Sequence, residues 1–281
     1  MNRHRVQKDL RRRLDRAAAH FSEHAFVHEH TRLGLLERLK PMTVAAKLVL
    51  DLGTATGSAI KPLERRFPKA RVVGVDVSLP MLAAQPRSWL KKPALVQASA
   101  LALPFADASV DVVYANLLLP FVDDLPQLVG EVSRVLGAEG LFVFASLGPD
   151  SFRELREAWS GIDDAAHVAS FPDMHDVGDA LVGAGLRDPV LDVDRLKVSY
   201  RSLAPLLRDL SGVGARNSLR GRAPGLGGRK NLEALEKRLF ANDLPLVLDL
   251  ELVYGHAFGG TPRAPRGPVR IEPSAIGRRK H

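Results

Sequence analysis

The sequence contains no cysteine among its 281 residues, and aromatic residues make up only 6% of it. The lack of cysteine excludes disulfides, cysteine-ligated zinc, iron–sulfur clusters and a thiol nucleophile. No apolar run approaches the roughly 20 residues of a membrane-spanning helix, and the charged N-terminal segment does not resemble a signal peptide. The spacing of the nine histidines makes no metal site compelling. We therefore expect a cytoplasmic protein without a metal.

Positive charge is concentrated in three segments of the chain, whose formal net charge is +8. Residues 1–16 carry seven Lys or Arg against two Asp, and residues 261–281 carry six against one Glu. Residues 214–230 carry five and no acid. Such clusters attract acidic proteins or nucleic acid, but they are also common in solvated tails and loops. For residues 214–230 both interpretations stay open.

From Lys47 onward, short apolar or β-branched runs alternate with helical stretches, a pattern typical of a parallel sheet covered by helices. The predicted strands are Lys47–Asp51, Arg71–Asp76, Ala94–Ala98, Val110–Ala115 and Leu141–Ser146. The predicted helices between them are Ala59–Phe67, Pro80–Gln85 and Leu125–Leu136, the last ended by Gly137. Two later runs alternate like an antiparallel pair that closes one edge of the sheet, Val190–Tyr200 and Leu246–His256.

The chain is expected to contain one main domain with additions at both ends and one insertion. Residues 1–45 are predicted to cover the active site with two amphipathic helices within Gln7–Leu39. Residues 46–260 form the main domain, with a helical cap at about 201–245 built from Leu203–Leu210 and Asn231–Phe240. Residues 261–281, rich in Pro, Gly and Arg, are predicted to be a disordered basic tail.

An apolar strand runs into a glycine-bearing turn at Leu48–Gly57, LVLDLGTATG, and a helix follows. This geometry lets the backbone approach a ligand closely, and it resembles the first motif of class I methyltransferases, D-x-G-x-G-x-G. Ala55 stands where the motif has its middle glycine. A plain strand–turn–helix without a ligand is the alternative interpretation.

Asp76 ends the next strand, 23 residues after Gly53, where its carboxylate can accept hydrogen bonds from both ribose hydroxyls of an adenosine. NAD is disfavoured because G-T-A-T-G lacks the G-x-G-x-x-G spacing that frees helix amides for a pyrophosphate. A sulfonium cofactor carries no phosphate, so the nearby Asp51 is acceptable. Met81 stands where a methyltransferase packs a side chain against adenine, although an ordinary core role fits its spacing equally well.

Two further segments, Gln97–Asp107 and Val110–Asn116, are similar to the adenine loop and the fourth strand of the same class. Ser99 replaces a common Asp, which weakens the expected adenine contact by roughly 1 kcal/mol. The predicted cofactor is S-adenosylmethionine. Its predicted contacts are Asp51, Gly53, Thr54, Gly57, Asp76, Val77, Met81, Ser99, Ala100, Leu101 and Asn116.

Strings along most of the chain strongly resemble the malonyl-acyl carrier protein O-methyltransferases of biotin synthesis. The resemblance is carried by Arg12–Leu39, Leu125–Trp159, His167–Tyr200, Gly225–Arg229 and Leu250–Gly260. The most specific strings are DMHD and VYGHA. The resemblance implies a Rossmann-like α/β fold, a mostly parallel seven-stranded sheet with an antiparallel edge strand, N-terminal helices and a helical cap.

The resemblance also implies methyl transfer from S-adenosylmethionine to the free carboxylate of a malonyl thioester on acyl carrier protein. A carboxylate is already ionised at neutral pH, so no general base is expected. Arg156 is predicted to pair with the substrate carboxylate, with Arg153 as second choice, although either could merely bind Glu154 or Glu157. Acyl carrier proteins are acidic, so docking is predicted near Arg208, Arg216, Arg220, Arg222 and Arg229.

Some residues leave open which group accepts the methyl. Phe21 stands where relatives tend to have a tyrosine, and Leu119–Phe121 replaces a segment that usually ends in Gln-Trp. His167, His175 and Asp176 either line the pocket or cap helices; Asp173 and Asp176 favour a structural network for His175. One alternative is an enzyme acting on another carboxylate or a protein side chain, including relatives that resemble arginine hydroxylases of respiratory complex assembly. Another is a non-catalytic assembly protein with weakened cofactor affinity.

Overall fold

The computed structural model describes residues 3–85, 93–215, 229–241 and 244–260. Seven strands form one sheet: β1 (Leu48–Leu52), β2 (Arg71–Asp76), β3 (Ala94–Gln97), β4 (Val110–Asn116), β5 (Leu136–Leu147), β6 (Arg187–Tyr200) and β7 (Leu246–Phe258). Their order is β3-β2-β1-β4-β5-β7-β6. Strands β1 to β5 pair in parallel, whereas β7 is antiparallel to both of its neighbours, β5 and β6. The predicted fold class is confirmed, with the antiparallel pair β6–β7 at one edge.

Helices cover both faces of this sheet. In the described part of the chain they are α1 (Arg3–Ala17), α2 (Phe21–His24), α3 (Phe26–Leu39), α4 (Ile60–Arg66), α5 (Leu79–Ala83), α6 (Leu125–Val135), α7 (Arg153–Ser160), α8 (Met174–Gly183), α9 (Leu203–Gly212) and α10 (Arg229–Leu239). A 3-10 turn spans Leu119–Phe121. None of the described helices is long and apolar enough to cross a bilayer.

The central strands are apolar on both faces because each face packs against helices. Leu50, Leu52 and Phe142 face one cluster, which includes residues of α6 and α8. Val49 and Val143 face the other, which includes residues of α3 and α4. This two-sided core holds the carboxyl ends of β1, β2 and β4 at one edge of the sheet, where ligands bind in open α/β folds.

The structure corrects several predicted element boundaries. The segment Gln7–Leu39 contains three helices rather than two, because the chain turns after Ala17 and again at Ala25. Gly137 does not follow α6 directly: the helix ends at Val135, and Leu136 already pairs with Val110 as the first residue of β5.

Two helices, α7 and α8, are not among the elements predicted from periodicity. Helix α8 begins where the carboxylate of Asp173 accepts a 2.8 Å hydrogen bond from the amide of Asp176, so Asp173 is its N-terminal cap.

The basic tail predicted at 261–281 lies outside the described residues, and the division into residues 1–45 and 46–260 stays a prediction.

Candidate active site

The turn after β1 adopts left-handed backbone angles at three positions. The φ angles are +75° at Gly53, +46° at Ala55 and +78° at Gly57. The amides of Gly53 and Thr54 both donate to the carbonyl of Val75, at 2.8 and 3.0 Å, which ties the turn to the end of β2. This conformation brings the backbone of the turn to the carboxyl edge of the sheet.

Asp51 lies beneath this turn and is almost fully buried. The hydroxyl of Thr54 donates a 2.5 Å hydrogen bond to Oδ2 of Asp51. Burial raises the pKa of Asp51 to about 7, against the opposing effect of the Thr54 bond. A positive ligand above the turn would favour the charged form of this carboxylate.

Asp76 ends β2 beside the same turn, with 8% of its surface exposed. Its Oδ2 accepts the amide of Ala55 at 3.0 Å, and its Oδ1 accepts the amide of Ser78 at 2.8 Å. Burial raises the pKa of Asp76, although these amides oppose the shift. The two amide bonds fix the orientation of the carboxylate at the mouth of the turn.

A cavity of about 180 Å³ opens next to this turn, and we refer to it as the turn cavity. Of the residues predicted from sequence to bind the cofactor, those that line it are Gly53, Asp76, Val77, Ser99, Ala100, Leu101 and Asn116. Ala55 lines it as well.

Four predicted residues lie behind the walls of the turn cavity instead. Asp51 and Thr54 bond to each other beneath the turn. A Cβ at Gly57 would come within 2.5 Å of the Gln85 side chain, so Gly57 gives room to that side chain. Met81 is fully buried in a small cluster that includes Ala17, Ala18 and Phe21, which supports the core interpretation of its role.

A second cavity of about 170 Å³ lies between the sheet and the helices α7 and α9, and we call it the cap cavity. Its walls are mostly apolar. Asp209 accepts from the hydroxyl of Tyr200 at 2.9 Å and lies 2.8 Å from Nδ1 of His24. His167 stacks on Trp159 with ring centroids 3.6 Å apart.

The two cavities meet at a junction defined by the residues that line both: Arg13, His28, Leu117, Pro120, Phe121 and Val213. Burial lowers the pKa of His28 to about 4, so its imidazole is neutral at pH 7. Nδ1 of His28 and Oδ1 of Asn116 are buried without a hydrogen-bond partner in the described structure. His28 therefore brings a buried polar atom to the junction, and Asn116 brings one to the wall of the turn cavity.

Helices α1 to α3 cover the turn cavity, and hydrogen bonds among the described residues join them to Asn116 in its wall and to Thr56 and Ser78 in neighbouring segments. The hydroxyl of Ser78 donates to Asp15 at 2.6 Å. The hydroxyls of Ser22 and Thr56 lie 3.2 Å apart. Nδ2 of Asn116 donates to the carbonyl of His28 at 2.8 Å. The N-terminal helices therefore form a roof over the site.

This geometry agrees with comparisons to known proteins. A methyltransferase domain family matches residues 50–144, which include the turn, Asp76 and β4. The malonyl-[acyl-carrier protein] O-methyltransferase of Halorhodospira halophila is 40% identical over 281 residues, covering 96% of this chain and 95% of that protein. The enzyme of that name from Laribacter hongkongensis is 40% identical and covers 89% and 88%. The chain belongs to the malonyl-[acyl-carrier protein] O-methyltransferase family.

Solved structures support the fold of this methyltransferase. The YcgJ protein of Bacillus subtilis superposes with a TM-score of 0.60 at 16% identity, covering 83% of this chain and 99% of that one. A Haemonchus contortus phosphoethanolamine N-methyltransferase, solved with S-adenosylhomocysteine, superposes with a TM-score of 0.56 at 16% identity, covering 90% and 60%. Family membership does not favour the alternatives of a protein side-chain acceptor or a non-catalytic assembly role.

The two arginines predicted to hold the substrate lie elsewhere in this methyltransferase. Arg156 donates to the carbonyls of Ser151 at 2.7 Å, of Ala169 at 3.4 Å and of Pro149. It lines neither cavity, and Arg153 is exposed. The Arg156 guanidinium bonds to backbone that precedes and follows α7, which supports a structural role, and its contact with the substrate stays a prediction.

The remaining predicted residues also differ in their location: some line a cavity, some are exposed and some lie outside the described residues. His167 lines the cap cavity, whereas His175 and Asp176 are exposed on α8. Arg229 is exposed and lies 2.9 Å from Glu233 on α10. Arg208 is exposed on α9, and the other residues of the predicted docking site, Arg216, Arg220 and Arg222, lie outside the described residues.

Arg13 and His28 were not predicted from the sequence, although both line the junction of the cavities. Neither belongs to a glycine-rich turn or a strand end, where motif spacing carries information. The one available signal is that both lie within the N-terminal segment resembling the family, which was expected to cover the active site.

Proposed function

We propose that this chain transfers a methyl group from S-adenosylmethionine to the free carboxylate of a malonyl thioester on acyl carrier protein. The observation that carries the proposal is the pair of cavities that meet at one junction, in a chain belonging to this family. The product would be a methyl ester, which removes the charge of the acceptor and primes the synthesis of the biotin precursor.

The turn cavity fits an adenosine that carries a sulfonium amino acid. Asp76 would accept hydrogen bonds from the ribose hydroxyls, and Val77 and Leu101 would pack on the base. Ser99, Ala100 and Asn116 would complete the contacts, while the turn at Gly53 would admit the amino-acid portion. The two acids Asp51 and Asp76 suit a positively charged ligand, because such a ligand would favour their charged forms.

The cap cavity fits the acyl group. When bound, the cofactor supplies a methyl group that its positive sulfur makes electrophilic. A carboxylate oxygen of the acceptor would form a bond to the methyl carbon while the bond from that carbon to sulfur would break, so one negative and one positive charge would disappear together. Apolar walls such as Leu117 and Phe121 favour this change, because separated charges are costly in a dry cavity. The chain's task is to hold the reacting atoms in line.

Docking of the acidic carrier protein is proposed on the basic segment 214–230, in the cytoplasm as expected from the sequence. Two observations support it. The segment carries five Lys or Arg and no acid, and the cap cavity is lined by Val213, which precedes the segment, and by Ala215 at its start. Replacing Arg216, Arg220 and Arg222 by Glu should raise KM for the carrier-linked substrate and weaken its salt dependence. Unchanged KM at low salt would reject this docking site.

The decisive experiment is to incubate the protein with S-adenosylmethionine and malonyl-acyl carrier protein and to look by mass spectrometry for the gain of one CH2 on the acyl group. Acetyl-acyl carrier protein, which has no free carboxylate, is the matched control and should stay unmodified. The Asp76→Ala variant should give no product. Absence of the ester from folded protein that binds the cofactor would reject the proposed acceptor.

A further inference from the structure

Arg13 occupies a distinctive place in the two cavities. It lies on α1 and is one of the six residues that line both cavities. Among the described residues around the cap cavity, Arg13 alone carries a permanent positive charge. The other described residues of the junction are His28, which is neutral, and four apolar residues. The positive charge of Arg13 is therefore located where the two ligands must meet.

Hydrogen bonds to carbonyls of the described residues help to fix the position of the guanidinium. Nη1 donates to the carbonyl of Gly214 at 3.1 Å, and Nε donates to the carbonyl of Asp9 at 3.4 Å. Gly214 follows α9, so the first bond joins the N-terminal roof to the cap. A guanidinium held in this way is directed by the backbone of two separate elements, which favours a defined geometry for a ligand.

Resting on the proposed function, we infer that Arg13 binds the carboxylate of the acyl acceptor at the junction and makes the site specific for a dicarboxylic acyl group. An ionised carboxylate entering an apolar cavity needs a cation, and arginine matches its two oxygens with parallel N–H donors. Neutral His28 completes the junction without adding a second charge. Arg13 takes the role that the sequence suggested for Arg156.

The test compares a charged and an uncharged acyl group. We would measure KM for malonyl-acyl carrier protein and the inhibition constant of acetyl-acyl carrier protein in the wild type, Arg13→Gln and Arg13→Lys. The control is Arg12→Gln, which removes the same charge from the neighbouring position on α1, where the side chain is 60% exposed. Calorimetry with S-adenosylmethionine and thermal unfolding accompany each variant.

The wild type should prefer the malonyl over the acetyl group by on the order of tenfold to a hundredfold, and Arg13→Gln should reduce this ratio to about one. Arg13→Lys should retain part of the ratio, because it keeps the charge but not the paired donors. If Arg13→Gln does not fold, a partial loss of the preference for the malonyl group in Arg13→Lys would still support the inference. Arg12→Gln should behave as the wild type.

Three results would overturn the inference. They are an unchanged ratio in both Arg13 variants, the absence of any preference in the wild type, and a loss of cofactor affinity as large as the loss of acceptor affinity. The last would assign Arg13 to the carboxylate of the cofactor itself. A wild type that forms no methyl ester would instead reject the proposed function, so the two failures are distinguishable.

Discussion

The amide of Ala55 donates a 3.0 Å hydrogen bond to Oδ2 of Asp76, which joins the turn after β1 directly to the acid that ends β2. One side chain therefore has two tasks, because it orients the turn and faces the cavity in which a ribose would lie. The carboxylate is buried, with amides on both of its oxygens. Its removal should affect both the ligand and the shape of its site.

We expect Asp76→Ala to raise the dissociation constant of S-adenosylmethionine by about a hundredfold or more, since two hydrogen bonds to a charged acceptor are lost. Isothermal calorimetry measures the change. Asp111→Ala is the matched control: Asp111 also accepts two backbone amides, of Lys47 and Leu48, but at the opposite end of β1. That variant should lose stability and keep its cofactor affinity. Equal affinity in the two variants would contradict the assignment of Asp76.

The roof of N-terminal helices leads to a kinetic prediction. Asp15 accepts the 2.6 Å hydrogen bond of Ser78, so Asp15→Ala should loosen α1 and speed the release of S-adenosylhomocysteine by about threefold to tenfold. Stopped-flow displacement gives this rate. Asp9→Ala removes an acid from the same helix, where it lies 3.9 Å from Arg12 on the surface, and should not change the rate. The same release rate in the two variants would show that the Asp15–Ser78 bond does not restrain the roof.

The accuracy of the sequence-based predictions depends on how far apart in the chain the interacting residues lie. The sheet and the position of Asp76 could be predicted because strand periodicity and the spacing from Gly53 are local. The junction could not, because Arg13 meets Gly214 across some two hundred residues, through helix packing that no short motif encodes. The backbone contacts of Arg156 could not be predicted for a related reason, since its carbonyl partners depend on how the chain folds around α7.

Ala55 shows a second limit of the sequence signal. The structure holds it at a φ of +46°, in the region that favours glycine, at a cost of roughly 1 kcal/mol. Its methyl group packs against the cluster of Ala17, Phe21 and Met81, and this contact offsets part of the cost. A departure from the glycine motif is thus accommodated by the N-terminal helices, which the motif itself does not include.

Arg156→Ala should act on stability rather than on acceptor recognition. The guanidinium bonds to the carbonyls of Ser151 and Ala169, so the variant should lower the free energy of unfolding by about 2 kcal/mol, measured by urea denaturation. Arg153→Ala, an exposed neighbour on α7, should change it by less than about 0.5 kcal/mol. Unchanged stability of Arg156→Ala together with lost turnover would restore its predicted role as a substrate contact.

The raised pKa of Asp51 predicts that cofactor binding is coupled to the release of a proton. Burial raises its pKa to about 7, so near neutral pH a large part of the cofactor-free protein carries a protonated Asp51. A cationic cofactor above the turn favours the carboxylate and lowers this pKa. Binding should therefore release a proton near pH 7, and affinity should rise with pH up to about 7 and then level. Calorimetry in buffers of different ionisation enthalpy measures the release.

The raised pKa of Asp51 also determines whether folding stability rises or falls with pH. The folded pKa of Asp51 lies above its ordinary value of 3.8, so between about pH 7 and pH 4 the folded state holds a proton that the unfolded state has lost. The cofactor-free protein should therefore gain stability from this residue as the pH falls through that range. Asp51→Asn keeps an acceptor for the Thr54 hydroxyl but cannot titrate, so it should remove both this gain and the proton release. An Asp51→Asn variant that still released a proton on binding S-adenosylmethionine would identify Asp76 as the titrating group, because burial raises its pKa as well.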